Sequence, residues 1–454
     1  AVSALLSAGT AAAADSLTFE AARARFHERA DIFRADAAEV ERARQLSESA
    51  KSLSGPKVDI TAMQVEGRKD LDLNLDIPTS VQQLGSALSQ GKLSIPSSMR
   101  FSDELDLSGP RAMISATWPL YTGGAITAQQ NLLEHKVREA SAAQSARLEE
   151  KDADLAMRYW GVQLARSVEE LRRERLKDEE EQVHRAMRFE KKGLISRIER
   201  MSVEVSRDAA RRELVSAGTS ARVAEAELMS ALREKELPAL ATPLFILTGD
   251  LGTLSEWQSR ARINSPVLSK IDAQVSQAGE GVRAAESAFH PQVFAFGMKN
   301  LVKHYLTPVE PDWMVGLGIK FTLWDNRDRF SSLAASHAQE EKARAAKAEA
   351  DNALASAVET AFLRTTQARE EYLLTASTVA LAKENLRLRE ASFAEGLSTA
   401  LDVREARTQM TGAQIAERAA AYKFVVSWAM LHGAAGVMPD FVATLSRPDL
   451  KRVE

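Results

Sequence analysis

The chain has 454 residues, a net charge of −4 at pH 7 and no cysteine. This excludes disulfides, thiolate metal sites, cysteine nucleophiles and a lipid-modified N-terminal Cys. An isoelectric point near 6.1 and the absence of a basic stripe interleaved with aromatics argue against nucleic acid as a partner, and no apolar run reaches the roughly 18 residues of a transmembrane helix.

In chain order, residues 1–14 are small and apolar. Ala12-Ala13-Ala14 fits the A-x-A pattern before a cleavage site, so this stretch reads as a signal-peptide remnant and the protein as exported. Ser16–Leu53 reads as a first helix, ended by Gly55-Pro56. Lys57–Glu66 turns to alternating, β-rich composition, and Leu71–Asp76 alternates Leu with Asp or Asn. Pro78–Pro110, rich in Ser, Gly and Pro, reads as a long loop. Arg111–Trp118 is a second strand, completing a strand hairpin over 57–118, and Pro119–Gly124 closes it.

Ala125–Lys192 contains no Pro and a single Gly, Gly161, and Leu148, Leu155 and Val162 stand seven apart as in a coiled-coil seam. Gly193-Leu194-Ile195-Ser196 breaks this helix, which resumes to Glu236. Residues 237–253, with Pro238 and Pro243, read as a linker. Thr253-Leu-Ser-Glu256 is a capping box opening a helix to Phe289, interrupted at Asn264-Ser265-Pro266. His290-Pro291 repeats the Gly55-Pro56 event, and Gln292–Lys299 and Trp313–Phe321 form a second strand hairpin within 291–324. In its second strand Trp313, Val315, Leu317, Ile319 and Phe321 share one face, and Gly316, Gly318 and Lys320 the other.

Ser331–Glu395 has neither Gly nor Pro. The break at Phe393–Val403 places Gly396 where a left-handed C-cap is tolerated, with Leu397 after it and Ser398 and Thr399 able to cap the next helix. Helix then runs to about His432, and 434–454 reads as a tail. Residues 15–236 and 254–433 thus carry the same order twice: helix, strand hairpin, long helical hairpin. Leu120 to Leu323 and Gly193 to Gly396 are separated by the same number of residues. Each strand end lies about 70 residues from its turn, a helix of roughly 110 Å.

Helices of that length cannot be buried in one compact domain and must pack sideways. Two strand hairpins with open edges need partners, and four strands are too few to close a barrel. Oligomerisation closes it, and an exported protein with roughly ten-residue strands of one apolar face suggests an outer-membrane barrel.

At this point the chain resembles the TolC family of outer-membrane efflux channels over essentially its whole length. Trp118-Pro-Leu-Tyr-Thr-Gly-Gly124 and Phe321-Thr-Leu-Trp-Asp-Asn326 resemble the family's P-L-[FW]-[DT]-G-G strand ends. Arg188–Leu194 and Arg389–Leu397 resemble its aromatic-x-x-Gly-Leu turns. The resemblance implies an α+β, mostly helical protein that forms a homotrimer. Four strands per protomer make one β-barrel in outer-membrane lipid, and twelve helices make a periplasmic α-helical barrel. The tips Gly193, Leu194, Ile195, Ser196 and Gly396, Leu397, Ser398, Thr399 dock a periplasmic adaptor (membrane fusion) protein of an inner-membrane transporter or type I secretion system. Solutes such as drugs or secreted proteins pass passively, so no enzyme activity and no cofactor are implied.

Phe189-Glu-Lys-Lys-Gly193 is one residue longer than the family spacing, so the first turn is expected to differ. Phe393 and Ser398 stand where some members carry a gate-locking Tyr and Arg. Asp402, Glu405 and Glu199 lie just past the turns, where the family places acidic rings in the tip constriction, although the same charges suit a solvated helix face. Trp118, Tyr121, Trp313 and Trp324 flank the strands as membrane-interface aromatics or as strand–helix packing. His27, His135, His290 and His304 show no ligand spacing, and no Ser-His-Asp set, phosphate loop or metal motif can be assembled. The alternative is a periplasmic coiled-coil adaptor or scaffold protein. The doubled strand–helix order argues against the first, and the alternating strands against the second.

Overall fold

The computed structural model describes residues 16–88, 95–106, 108–304, 306, 310–324, 328–395 and 397–453. Residues 1–14 and Gly396 therefore lie outside the described residues. The elements in order are α1 (Phe19–Arg29), α2 (Asp31–Lys51), β1 (Lys57–Val65), β2 (Arg68–Asp76), α3 (Thr79–Leu88), β3 (Ser98–Asp106), β4 (Gly109–Tyr121), α4 (Ala125–Lys191) and α5 (Arg197–Leu232). There follow β5 (Leu244–Leu247), α6 (Leu254–Asn264), α7 (Pro266–Glu286), β6 (Gln292–Asn300), β7 (Trp313–Lys320), α8 (Arg329–Ala394), α9 (Ala400–Ala435), α10 (Met438–Thr444) and β8 (Leu450–Val453). Helix dominates, with α4 and α8 of 67 and 66 residues and α5 and α9 of 36 each.

The chain divides into two compact units. The first holds Ala1–Arg44, His135–Ser276 and Glu341–Glu454. Its core is aromatic: Phe19, Tyr159, Trp160, Phe245, Phe424, Trp428 and Phe441 are all buried. The α4 seam is used as expected, with Leu155 and Val162 buried and Leu148 packed against them. Tyr159 donates to Leu17 O at 2.6 Å and accepts from Thr242 N at 3.0 Å, and Trp160 Nε1 donates to Pro243 O at 3.0 Å. Those bonds satisfy the backbone of a buried connection, which would otherwise carry orphan polar groups. Truncating Trp160 to Ala would cost about 3–5 kcal/mol.

Two sequence expectations are corrected here. Ser16–Leu53 is two helices, broken at Ala30, whose ψ of 119° is extended. A straight helix separates residues seven apart by about 10 Å along its axis, whereas the buried rings of Phe26 and Phe33 stand 5.2 Å apart. The break brings them together. The 237–253 linker contains β5, fully buried, and the 434–454 tail contains α10 and β8. β5 and β8 pair antiparallel from Leu244↔Val453 to Leu247↔Leu450, so linker and tail are one packed sheet. Nearby, His27 Nε2 lies 2.6 Å from Oδ1 of buried Asp152, whose Oδ2 accepts from Arg23 Nε at 2.6 Å.

The second unit holds Gln45–Glu134 and Gln277–Glu340. Its four-stranded sheet has the order β1-β4-β6-β7, every neighbour antiparallel. The two helix–Pro junctions match: Ser52–Ser54 and Ser287–Phe289 are single 3₁₀ turns, closed by Gly55 N to Ser52 O and by His290 N to Ser287 O. The expected loop Pro78–Pro110 is overturned. It contains α3, β3 and the start of β4, and β3 pairs with β2 from Arg68↔Asp106 to Asp76↔Ser98 in a separate two-stranded sheet. Its Ser, Gly and Pro content hid a strand whose partner, β2, lies across α3. No described helix is long and apolar enough to cross a membrane.

Candidate functional site

The two helix–turn–helix tips lie in the first unit. At the first, Gly193 has φ of 73°, a left-handed conformation that suits glycine, and its N–H reaches Glu190 O at 2.8 Å. Leu194 N then donates to Phe189 O at 2.9 Å, and at the second tip Leu397 N donates to Ser392 O at 2.8 Å. Both turns close through the same i−5 bond. The extra residue expected to alter the first turn alters the aromatic instead: Phe189 lies five residues before its Leu, Phe393 four. Leu194 and Leu397 are 66% and 78% exposed, and Ile195 is half-buried.

Ser196 caps α5 and Thr399 caps α9, each in a reciprocal capping box. The carboxylates completing those boxes are Glu199 and Asp402. Glu199 accepts from Ser196 N at 2.7 Å and from Ser196 Oγ at 3.0 Å. Asp402 Oδ2 accepts from Thr399 N and Thr399 Oγ, both at 2.8 Å, and from Ser398 Oγ at 3.1 Å. These bonds favour the ionised form and hold both carboxyls below the ordinary carboxylate range. Glu405 is exposed, with Gln409 Nε2 at 3.5 Å.

Near the tips, residues outside the sequence reading join the two hairpins. Arg404 Nη1 donates to Ser206 Oγ at 2.9 Å, linking α9 to α5. Arg407 bridges Glu390 of α8 at 2.6 Å and Asp178 of α4 at 3.2 Å. The adjacent Glu179 is only 6% exposed, and burial raises its pKa despite Arg175, Arg404 and Arg407 nearby. The acidic run Asp178–Glu181 looks solvated in sequence, and nothing local marks one member as inward-facing.

In the second unit the pairing register sorts every strand residue onto one of two faces. One face carries Val58, Ile60 and Ala62 of β1 and Ala112, Ile114, Ala116 and Trp118 of β4. It continues with Val293, Ala295, Gly297 and, at the sheet's end, the exposed Lys299 of β6, and with Trp313, Val315, Leu317 and Ile319 of β7. Its outer strands are bare: Ile60, Val315, Leu317 and Ile319 are each exposed by 70% or more. The opposite face mixes Lys57, Asp59, Thr61, Arg111, Ser115, Thr117, Gln292, Asn300 and Lys320 with Phe294, Phe296 and the methionines Met63, Met113, Met298 and Met314. The alternation legible in β7 extends across the whole sheet once the register is known.

The four flanking aromatics are all exposed. Trp118 and Tyr121 lie towards the end of β4 and Trp324 follows β7, while Trp313 begins β7 at the opposite end of the sheet. Trp118 Nε1 donates to Ser54 O at 2.8 Å, tying it to the preceding 3₁₀ turn. Strands β1 and β7 are the edges, so each leaves one side of its backbone without a partner in the sheet.

Long paired helices and a small sheet with one bare apolar face define a mostly helical protein of membrane-channel type. The chain belongs to the outer membrane efflux protein family, which matches residues 25–232 and 257–437. It is an outer-membrane efflux channel. Solved structures share the fold at low identity. The open-state MtrE outer membrane channel of Neisseria gonorrhoeae is 18% identical, with a TM-score of 0.71 over 92% of this chain and 89% of that one. The CmeC outer membrane channel of Campylobacter jejuni is 12% identical, with a TM-score of 0.73 over 94% and 89%. The outer membrane protein VceC of Vibrio cholerae is 13% identical, with a TM-score of 0.72 over 92% and 96%. A comparison with curated proteins finds no match.

Proposed function

We propose that three copies assemble through their sheet edges, β7 of one protomer pairing with β1 of the next, into a twelve-stranded barrel in outer-membrane lipid. The observation that carries this is the sheet itself: four strands, two open edges and one exposed apolar face. In lipid every backbone group needs a partner, and closure supplies it without an edge. The apolar face meets lipid, Trp118, Tyr121, Trp313 and Trp324 sit at the two interfaces, and the mixed polar face lines the lumen.

The helices form the periplasmic tunnel, built by an internal repeat that keeps the long hairpins at matched lengths. The tips, Gly193–Ser196 and Gly396–Thr399, contact a periplasmic adaptor of an inner-membrane pump or a type I secretion system. Exposed Leu194 and Leu397 support that reading, since apolar side chains at a solvated tip otherwise lack a purpose. Asp402, with Glu405 and Glu199, forms acidic rings at the constriction once threefold symmetry repeats them. Capping favours this role, because it fixes the carboxylates in place and keeps them charged. Solutes cross passively, and the inner-membrane partner chooses them.

Native mass spectrometry from detergent tests the assembly. The expected species is three times the chain mass of 49.7 kDa and resists heat until the strands separate. A folded monomer as the sole species overturns it.

A further inference from the structure

The mixed face of the sheet carries two large aromatics where polar residues are the rule for a lumen. Phe294 lies directly across from Gly318, and Phe296 from Gly316. A Cβ added at Gly318 would stand 2.5 Å from Phe294 Cζ, and one at Gly316 would stand 2.9 Å from Phe296 Cζ. Both rings therefore lie down over the glycine backbone of the neighbouring strand. They also touch each other, with centroids 6.1 Å apart and planes inclined at 48°. Gly316 and Gly318 have no other demand on them: neither has a positive φ, and neither ends an element. Glycine weakens a strand interior and often marks close approach of another group. Here that group is a phenyl ring.

We propose that Gly316 and Gly318 keep Phe294 and Phe296 flat against the inner wall, so that these glycines set the bore of the barrel and give passing apolar solutes an aromatic lining. The inference rests on the barrel reading above, which places this face inward. A Cβ alone would push the ring away by several tenths of an ångström at either position, since ordinary contact begins near 3.4 Å, and the γ branches of a β-branched residue add to that. The wall offers no space behind, so the ring turns into the lumen. Threefold symmetry repeats the two rings as six, and small displacements are therefore felt around the whole circumference.

The chain has no cysteine, so single thiols can be placed at will. Thr117 on β4 faces Phe296 directly in the register, and Leu317 lies on the apolar face. In the assembled trimer, Thr117→Cys is labelled with a small charged methanethiosulfonate and with a bulky polyethylene glycol maleimide, both added from the outer side. The small reagent labels Thr117→Cys and spares Leu317→Cys if the mixed face is the lumen. The reverse pattern refutes the barrel reading itself. Given the expected pattern, adding Gly318→Val or Gly316→Val slows the bulky reagent severalfold and leaves the small one unchanged. Combining Gly318→Val with Phe294→Ala restores the rate. Unchanged bulky labelling in an intact glycine-variant trimer overturns the proposal. If the glycine variants do not assemble, the Phe294→Ala, Phe296→Ala pair decides: it speeds the bulky reagent if the rings bound the bore, and an unchanged rate overturns the proposal.

Discussion

Two titratable groups meet at α10 with opposite pH dependence, and removing either exposes the other. His432 sits among Trp257, Trp428 and Phe441, with ring centroids 4.9, 4.4 and 5.8 Å away, and its Nδ1–H donates to Trp428 O at 2.8 Å. Burial lowers its pKa from 6.5 to about 4. The unfolded chain therefore gains a proton that the folded chain refuses, and stability falls as pH drops from 6.5 to about 4. At roughly 1.4 kcal/mol per unit, the loss is about 3 kcal/mol. Glu149, accepting from Met438 N at 2.9 Å, is pushed by burial from 4.5 up to about 7. Its stabilisation is full below 4.5 and is lost as pH rises towards 7. Because Glu149 is partly solvated, screening reduces that loss to about 1–2 kcal/mol. The two slopes partly cancel in the wild type. Glu149→Gln keeps an acceptor for Met438 N and should steepen the acid-side loss. His432→Leu should remove it, leaving a protein more stable near pH 4.5 than at pH 7. Tryptophan emission during urea unfolding reads both, since Trp160, Trp257 and Trp428 lie in this core. Coincident pH profiles for wild type and His432→Leu would refute the reasoning.

Other outcomes are open to direct measurement. Asp402→Asn removes the charge and keeps an acceptor for the cap, so it should weaken cation preference and divalent block in single-channel recordings while thermal stability holds. Thr399→Ala should instead cost about 1 kcal/mol by loosening the start of α9, seen as faster proteolysis of the second tip. Leu194→Asp with Leu397→Asp should abolish export in cells while the purified channel still conducts, and normal export would reject the tip docking. Val65 and Gly109 are already register partners, so joining them through an Asn-Gly turn, without β2, α3 and β3, should leave the trimer intact. Cutting at Pro78–Pro110 removes β3 and strips β2 of its partner.

Much of this architecture is legible in the sequence because its strongest signals are local. Gly193 punctuates a Pro-free helical run, and Thr253 and Glu256 announce a helix start that the capping box fulfils. β7 alternates because one face is bare. What escaped was non-local. β5 reads as a four-residue apolar fragment until β8, some 200 residues later, pairs with it. β3 is polar and flanked by Ser and Pro, and only its register with β2 makes it a strand. The face that Phe294 and Phe296 share with Gly316 and Gly318 could not be assigned, because β6 has apolar residues on both faces and periodicity alone does not orient it. At the second tip Thr399 was legible as a cap, whereas Ser196, which caps α5, read only as the last residue of its turn. That Glu199 and Asp402 close those caps follows from the same i+3 spacing as Thr253 and Glu256. Arg404 and Arg407 carried no signal, since a charge on a long helix looks solvated until its partner on another hairpin is known.

The central claim is that the open sheets of several chains close into one conducting pore. Single-channel recording of the purified protein in a planar bilayer tests it most directly. Stepwise currents carried by the oligomer, and absent from the heat-dissociated protomer, are the expected result. A folded oligomer inserted in the bilayer that passes no current at any voltage would contradict the account.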